Sequence, residues 1–137
     1  AEAVGMTRTL GQRTLLGSYE AVKTYLRASL GALPREVFHV LYLDRRNQLL
    51  ADERLGVGTV DHAPVYPREV VRRALELSSG AILLAHNHPS GAPTPSAADI
   101  AMTKQVVDAA KVLQITVHDH FIVAGDEVVS FRAQGLM

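Results

Sequence analysis

The sequence of 137 residues contains no cysteine. Disulfides and thiolate metal ligands are therefore excluded, and any transition metal has to be held by histidine and carboxylate side chains. Long apolar runs are also missing, since no stretch approaches the roughly 20 residues that cross a bilayer, and the start of the chain lacks the features of a secretory signal. These absences predict a soluble, cytoplasmic protein without a membrane partner.

An excess of charge of either sign is absent as well. The 14 lysine and arginine residues are balanced by 14 aspartate and glutamate residues, so the chain lacks the positive field that gives nucleic-acid binders most of their non-specific affinity. Tight binding of DNA by this domain alone is not expected. Arg68, Arg72 and Arg73 cluster on one predicted helix, which is typical of a solvated face.

Length and composition predict one domain, because 47 % of the residues are hydrophobic and this is enough to build one core. Residues 1–17 show little periodicity and are predicted to form an N-terminal arm or linker remnant, with the domain proper at 18–137. Ser18 is placed to cap a first helix, whose apolar residues recur at four-residue spacing until Gly31 and Pro34 end it.

The rest of the domain alternates predicted strands and helices. One helix is expected from Pro67 until Gly80 closes it, and another from Ser96 to about Leu113. Strands are predicted at residues 36–43, 48–54, 81–85, 115–124 and 127–131, with a hairpin turn at 44–47. The fold class is therefore a mixed α/β domain in which a mostly antiparallel sheet is flanked by helices.

Three potential metal ligands follow the predicted strand at 81–85. His86 and His88 stand at its end, and Asp99 lies in the first turn of the next predicted helix, after a short proline-rich loop. Zinc readily takes imidazole nitrogen and carboxylate oxygen, and three protein ligands with an open fourth position are typical of a catalytic site. A water in that position has its pKa lowered to about 7, so it supplies hydroxide at neutral pH.

Such chemistry also needs a carboxylate that takes the proton of the water and passes it to the leaving group. The candidates are Glu36, which opens the first predicted strand, Glu53, which ends the second, and Glu69 in the first turn of a helix, where acidic residues are common anyway. The pattern of the residues leaves Glu36 and Glu53 tied.

The Ser96 and Asp99 pair has a second interpretation. A serine followed three residues later by an acid is a helix-capping pattern that satisfies free backbone N–H groups. An Asp99 that binds a metal is then expected to reach back to the cap only in part. Both interpretations stay open at this point.

The segment His118-Asp119-His120 offers a rival chelating group, because its histidines would share one face of a strand. A supporting role fits the pattern better, in which Asp119 or His120 accepts the second N–H of a ligand imidazole. His39 and His62 have no recognisable partner, and we take both as ordinary core or surface histidines.

One family resemblance covers most of the chain. The string His86-Asn87-His88-Pro89, then six residues, Ser96, two residues and Asp99 resembles the JAMM (MPN+) metalloprotease motif, with complete agreement in spacing. The segments at 65–71, 86–91 and 119–120 resemble more narrowly the bacterial RadC family of that superfamily. The resemblance extends from about Thr14 to the C-terminus.

The resemblance implies a fold, a cofactor and roles for single residues. The implied fold is the cytidine-deaminase-like α/β core of MPN domains, and the implied cofactor is Zn²⁺, held by His86, His88 and Asp99. The general-base glutamate of JAMM proteins opens the first strand, and Glu36 matches that place. Ser96 matches the residue that donates to the oxyanion or to the water network.

Two departures limit this transfer. Asn87 stands where eukaryotic JAMM peptidases usually have serine or threonine, so contacts with substrate near the metal are expected to differ. RadC proteins also carry an upstream helix-hairpin-helix segment that binds the DNA backbone, and nothing in this chain resembles it. The chain is therefore expected to be the C-terminal domain of a longer protein, with any DNA association made through the absent N-terminal domain.

The leading functional hypothesis is a zinc-dependent hydrolase of the metallopeptidase or isopeptidase type, in which Glu36 activates the water and a protein or peptide is the substrate. One alternative is a DNA-repair-associated factor that binds or anneals nucleic acid and has a structural metal site, as the family name suggests. A further alternative is a non-catalytic MPN interaction module, which the full set of ligands argues against.

Overall fold

A computed structural model of the chain describes residues 15–57 and 65–137. The predicted order of helices and strands is confirmed. The elements are helix α1 (Tyr19–Leu30), strands β1 (Val37–Leu43) and β2 (Leu49–Val57), helix α2 (Pro67–Glu76), strand β3 (Ala81–Asn87), helix α3 (Ala97–Val112) and strands β4 (Thr116–Ala124) and β5 (Glu127–Ser130).

Most of the predicted N-terminal arm at 1–17, as well as His62, lies outside the described residues. The described chain contacts the domain from Leu15, which pairs with Gln48. Leu16 is buried in the core, and its N–H donates to Asn47 O at 2.9 Å. The folded unit therefore includes residues just ahead of the predicted start at Ser18, which caps α1 by accepting the N–H of Ala21.

The five strands form one sheet in the order β2-β1-β3-β4-β5. The β3–β4 pair is parallel and the other three pairs are antiparallel, so the predicted mixed, mostly antiparallel sheet is confirmed. Helix α1 packs on one face of the sheet, where Leu26 and Leu30 join a buried apolar cluster. Helices α2 and α3 pack on the other face, where Val70 and Val106 belong to a second cluster. None of the helices in the described ranges is long and apolar enough to cross a membrane.

Strand β3 is buried along its whole length and runs two residues further than predicted, through His86 to Asn87. Successive side chains of a strand point to opposite faces of the sheet. His86 therefore lies on the α2/α3 face, where its ring stacks on that of Phe38 with the ring centroids 5.7 Å apart. Asn87 lies on the opposite face. Phe38 pairs with His86 in the antiparallel β1–β3 ladder, so the start of β1 lies beside the end of β3.

The end of α2 differs from the prediction. The helix closes before Gly80, because its last turn is satisfied by the N–H of Ser78 donating to Leu75 O and that of Ser79 donating to Ala74 O. Ser78 takes the left-handed conformation, with φ 54°, that glycine usually supplies at this place. The exposed Ser78 thus carries backbone strain that Gly80 does not relieve.

His39 has a partner that the sequence pattern did not reveal. Its Nδ1 lies 2.6 Å from Oδ1 of Asp52, whose Oδ2 accepts a hydrogen bond from the hydroxyl of Tyr25. Burial opposes the ionisation of Asp52, but the hydrogen bonds from His39 and Tyr25 outweigh it and hold the pKa of this carboxyl below its usual value. This network ties α1 to β1 and β2 on the face opposite His86.

We expect Ser78→Gly to raise the free energy of unfolding by about 0.5–1 kcal/mol. A residue with a Cβ costs roughly 1–2 kcal/mol in the left-handed conformation, and glycine avoids this cost. Glycine also loses more conformational freedom on folding, which offsets part of the gain. Urea unfolding measures the change. Ser78→Ala removes the same hydroxyl but keeps the Cβ, so it serves as the control and should give no gain. An equal gain from both variants would rule out the backbone explanation.

Candidate metal centre

Three potential ligand atoms converge at the end of β3, namely His86 Nε2, His88 Nε2 and Asp99 Oδ2. The two nitrogens lie 3.1 Å apart, and each lies 3.4 Å from the carboxylate oxygen. His86 is fully buried, whereas the side chains of His88 and Asp99 are 14 % and 15 % exposed. The group is therefore anchored in the core on one side and accessible on the other.

Each ligand is delivered by a different local structure. His86 is the last residue but one of β3, and His88 follows the strand, held to β4 by its N–H, which donates to Val123 O at 2.9 Å. The proline-rich loop then leads to Ser96, the N-cap of α3, which places Asp99 in the first helical turn. The prediction that a short loop brings these three side chains together agrees with this geometry.

A chain of hydrogen bonds sets the tautomer of His86. The hydroxyl of Thr103 donates to Asp99 O at 2.7 Å, so its oxygen accepts the Nδ1–H of His120 at 2.6 Å. His120 Nε2 is then free to accept the Nδ1–H of His86, 2.8 Å away. His86 Nε2 consequently carries no hydrogen and presents its lone pair to the site.

His88 is set in the same tautomer by the loop that follows it. Its Nδ1–H donates to Ala92 O at 2.8 Å, so its Nε2 also presents a lone pair. The turn that brings Ala92 back to the imidazole contains Gly91, whose φ of 85° favours glycine. Gly91 N–H donates to His88 O and closes this turn.

Asp99 combines two roles that we expected to compete. Its Oδ2 accepts the N–H of Ser96 at 2.9 Å, and Ser96 Oγ accepts the N–H of Asp99 at 3.0 Å, so the capping box is complete. The same Oδ2 also faces both histidines. A carboxylate oxygen has two lone pairs, so the capping hydrogen bond and a bound cation can in principle share Oδ2.

The donor set fits a metal cation. Two imidazole lone pairs and a carboxylate oxygen face one another, and this arrangement is repulsive unless a cation lies between them. Tetrahedral zinc with bonds of about 2.0–2.1 Å has its ligand atoms about 3.3 Å apart, and the three separations here are 3.1, 3.4 and 3.4 Å. Nitrogen and oxygen donors on three residues also match the ligand chemistry of catalytic zinc.

The electrostatics of the group favour a cation as well. Burial opposes the ionisation of Asp99, but a hydrogen placed on Nε2 of His86 or His88 is donated to this carboxylate, which outweighs burial and holds the pKa of Asp99 far below its usual value. The same contact with the Asp99 carboxylate raises the pKa of His88, so the carboxylate attracts positive charge to this nitrogen, as a proton or as a metal cation. Burial, together with the neighbouring His86, keeps the pKa of His120 well below its usual value, so His120 stays neutral.

Of the three glutamates considered as general base, the structure brings Glu36 to the ligand group. Glu36 is 5 % exposed, lies opposite His88 when the β1–β3 ladder is continued by two residues, and contributes to the raised pKa of His88. Glu53 instead accepts three hydrogen bonds from Arg73, and the exposed Glu69 pairs with Arg72. Of Glu36 and Glu53, only Glu36 therefore lies near the candidate ligands.

The rival group at 118–120 does not converge. Strand β4 has one extra residue at this point, since Ile82 pairs with Val117 and Leu83 with Asp119. His118 Nε2 consequently contacts Asn47 Oδ1 in the β1–β2 turn, whereas His120 points to His86. In the described ranges, the only group of this kind that could hold a metal is His86, His88 and Asp99.

Of the two residues expected to support a ligand imidazole, His120 contacts His86 and Asp119 does not. The carboxylate of Asp119 accepts hydrogen bonds from Ser130, from the N–H of Arg132 and from the N–H of His120. It therefore joins β4 to the end of β5. The sequence analysis missed Thr103, although it lies one helical turn after Asp99 and hence on the same face of α3.

The fold and the site together define an α/β domain with the JAB/MPN arrangement of sheet, helices and a His-His-Asp group. The chain belongs to the RadC family, because a family model described as "RadC-like JAB domain" matches residues 16–136. A similar protein is a "UPF0758 protein" of Rhodobacter capsulatus, which is 52 % identical over all 137 residues. The chain spans 64 % of the length of that relative.

We expect the metal-free protein to bind one equivalent of Zn²⁺ and to gain thermal stability, about 2.7 kcal/mol at 100 times the Kd. His88→Ala removes a partly exposed ligand, so this variant should stay folded and lose the zinc-dependent gain. Calorimetric titration and thermal unfolding measure both effects. His118→Ala is the matched control and should bind zinc with the affinity of the wild type. Equal zinc affinity of His88→Ala and wild type would contradict the assignment.

We expect Thr103→Val to lower the zinc affinity by about 10–100-fold, because loss of the hydroxyl removes the acceptor for His120 Nδ1–H and frees the tautomer of His86. Thr103→Ser keeps the hydroxyl and should retain most of the affinity. Zinc competition with a chromophoric chelator measures the affinity, and long-range ¹H–¹⁵N spectra of the metal-free protein report which ring nitrogens carry hydrogen. A valine variant with wild-type affinity and tautomers would refute the role of this hydroxyl.

Proposed function

We propose that this domain is a zinc-dependent hydrolase that cleaves an amide or isopeptide bond in a protein or peptide. The observation that carries the proposal is the convergence of two oriented imidazoles, one ionised carboxylate and a buried glutamate at one accessible edge of the sheet. His86, His88 and Asp99 would hold the ion. Zinc, when bound in such a site, lowers the pKa of a water molecule to about 7 and polarises a carbonyl.

Glu36 supplies the general base in this proposal. Its carboxylate lies beside His88 in a place that is nearly closed to solvent, where a proton taken from the attacking water is not lost to bulk solvent. The same carboxyl group then gives this proton to the leaving nitrogen, which cannot depart as an anion. General acid–base catalysis of this kind contributes typically about 10²–10⁴-fold to the rate.

Ser96 supplies the oxyanion donor in this proposal. It is exposed at the start of α3, and its oxygen accepts the N–H of Asp99. In the described part of the chain this is the one hydrogen bond of its hydroxyl, whose hydrogen therefore remains available for a substrate oxygen. A donor of this kind acts on the charge that develops in the transition state.

The surface charges favour a hydrolase over an autonomous DNA-binding domain. Of the three arginines that the sequence clusters on α2, Arg72 pairs with Glu69 and Glu76, and Arg73 pairs with Glu53 and Glu76. These pairs balance the charge of two of the three arginines on this helix face. The complete ligand group likewise speaks against a non-catalytic interaction module, which has no need of oriented imidazoles.

A peptide-library cleavage assay with zinc tests the proposal. We expect the wild type to cleave a subset of peptides, and Glu36→Gln to lose about 10²–10⁴-fold in kcat, since the amide keeps the shape but takes no proton. Zinc affinity should stay near that of the wild type. Glu69→Gln alters an exposed glutamate on α2 and should leave cleavage unchanged. Cleavage by Glu36→Gln at the wild-type rate would exclude Glu36 as the base.

A further inference from the structure

Asn87 is the residue between the two ligand histidines, yet its side chain serves the opposite face of the sheet. It is 2 % exposed, and strand alternation directs it away from His86 and His88. The expectation that this position changes contacts with substrate stays a prediction, and the buried side chain itself lies away from the candidate ligands. Its amide group is hydrogen-bonded to the segment that leads into β1.

The hydrogen bonds of Asn87 bracket one residue. Oδ1 accepts the N–H of Val37 at 2.7 Å, and Nδ2 donates to Arg35 O at 2.9 Å and more weakly to Leu33 O at 3.4 Å. Arg35 C=O belongs to the peptide group before Glu36, and Val37 N–H to the peptide group after it. Both peptide groups that flank Glu36 are thus held by a single side chain.

We propose that Asn87 is a positioning residue for Glu36, which clamps both flanking peptide groups and so fixes the carboxylate beside His88. This inference rests on the proposed function of Glu36 as base. Glu36 is the residue directly before β1, so the two peptide groups held by Asn87 lie where the chain enters the strand.

The chemistry of the amide explains why this residue type is suited to the clamp. Asparagine offers an acceptor and a donor at the two ends of one rigid plane, so it can bind an N–H and a C=O that are two residues apart. Serine at this position would be shorter and would offer a single oxygen. Loss of one of these buried hydrogen bonds leaves its partner unsatisfied and so loosens the segment that it holds.

The first test uses NMR and needs no turnover. Asn87→Leu and the milder Asn87→Ser should speed amide hydrogen exchange at Val37 and shift the side-chain ¹³C signals of Glu36 in the metal-free protein. In protein loaded with Co²⁺, the paramagnetic shifts of Glu36 should change, while those of the His86 and His88 rings should not. The leucine variant keeps the size of the side chain. If the leucine variant does not fold, the serine variant tests the positioning role of Asn87.

Ser79→Ala is the matched control, because Ser79 is buried and its hydroxyl bonds Leu43 O and Ala81 O at the other end of the same β1–β3 pair. This variant should lose stability but leave the Glu36 signals unchanged. Unchanged Glu36 signals in Asn87→Ser, or an equal change in Ser79→Ala, would overturn the positioning role.

The second test uses any peptide that the wild type cleaves. Asn87→Ser should lower kcat by about 10–100-fold, as expected when a catalytic group is displaced by about 1 Å, with KM and zinc affinity within twofold of the wild type. A purely structural role would instead lower the amount of folded protein and leave kcat unchanged. Absence of cleavage by the wild type would count against the proposed hydrolase, and the NMR signals of Glu36 would still decide the role of Asn87.

Discussion

The hydrogen bond between His86 and His120 is the interaction on which the candidate metal centre depends. It joins β3 to β4, the one parallel pair of the sheet, at a point where both side chains are fully buried. Because it consumes the Nδ1 hydrogen of His86, it directs the lone pair of Nε2 outward to the ligand group. His120 can accept this hydrogen only because Thr103 accepts the other one, so a threonine on α3 determines the chemistry of a histidine on β3.

The sheet and the helices place the remaining parts around this bond. Strand β3 ends, β1 begins and α3 begins at the same edge, so His86 contacts Asp99 there and the segment with Glu36 lies nearby, although these residues are far apart in the sequence. The two faces of β3 carry different side chains at this edge of the sheet. One side carries the imidazoles toward α3, and the other carries the amide of Asn87 toward the segment that holds Glu36.

Much of this could be predicted from the sequence, because the signals are local. The cap at Ser18, the proline at the start of α2 and the apolar run of β3 each reflect the conformational preferences of a few adjacent residues, and the ligand spacing reflects one short loop. The choice of Glu36 over Glu53 could not be made from periodicity, since it depends on strand register and on Arg73. The end of α2 was missed because a serine occupies the left-handed position that glycine usually marks.

The roles of Thr103 and Asn87 depend on tertiary contacts, yet the spacing of each residue in the sequence carries some information. Thr103 follows Asp99 by four residues on one helix face, and Asn87 alternates with two histidines on a strand. Neither residue type is apolar or charged, so neither stands out in a search for core residues or ligands. Periodicity gives the side to which such a side chain points, but only the fold shows what it meets there.

The capping box at the start of α3 has a consequence for the exchange of the ion. Ser96 holds Asp99 by two reciprocal hydrogen bonds, and Ala92 and His120 hold the imidazoles, so each of the three candidate ligands is oriented by a partner inside the fold. Small zinc-folded domains, by contrast, spend much of the binding free energy on ordering the chain. Here an ion would enter and leave a domain that is already folded, and occupancy would follow the concentration of free metal without a cycle of folding and unfolding.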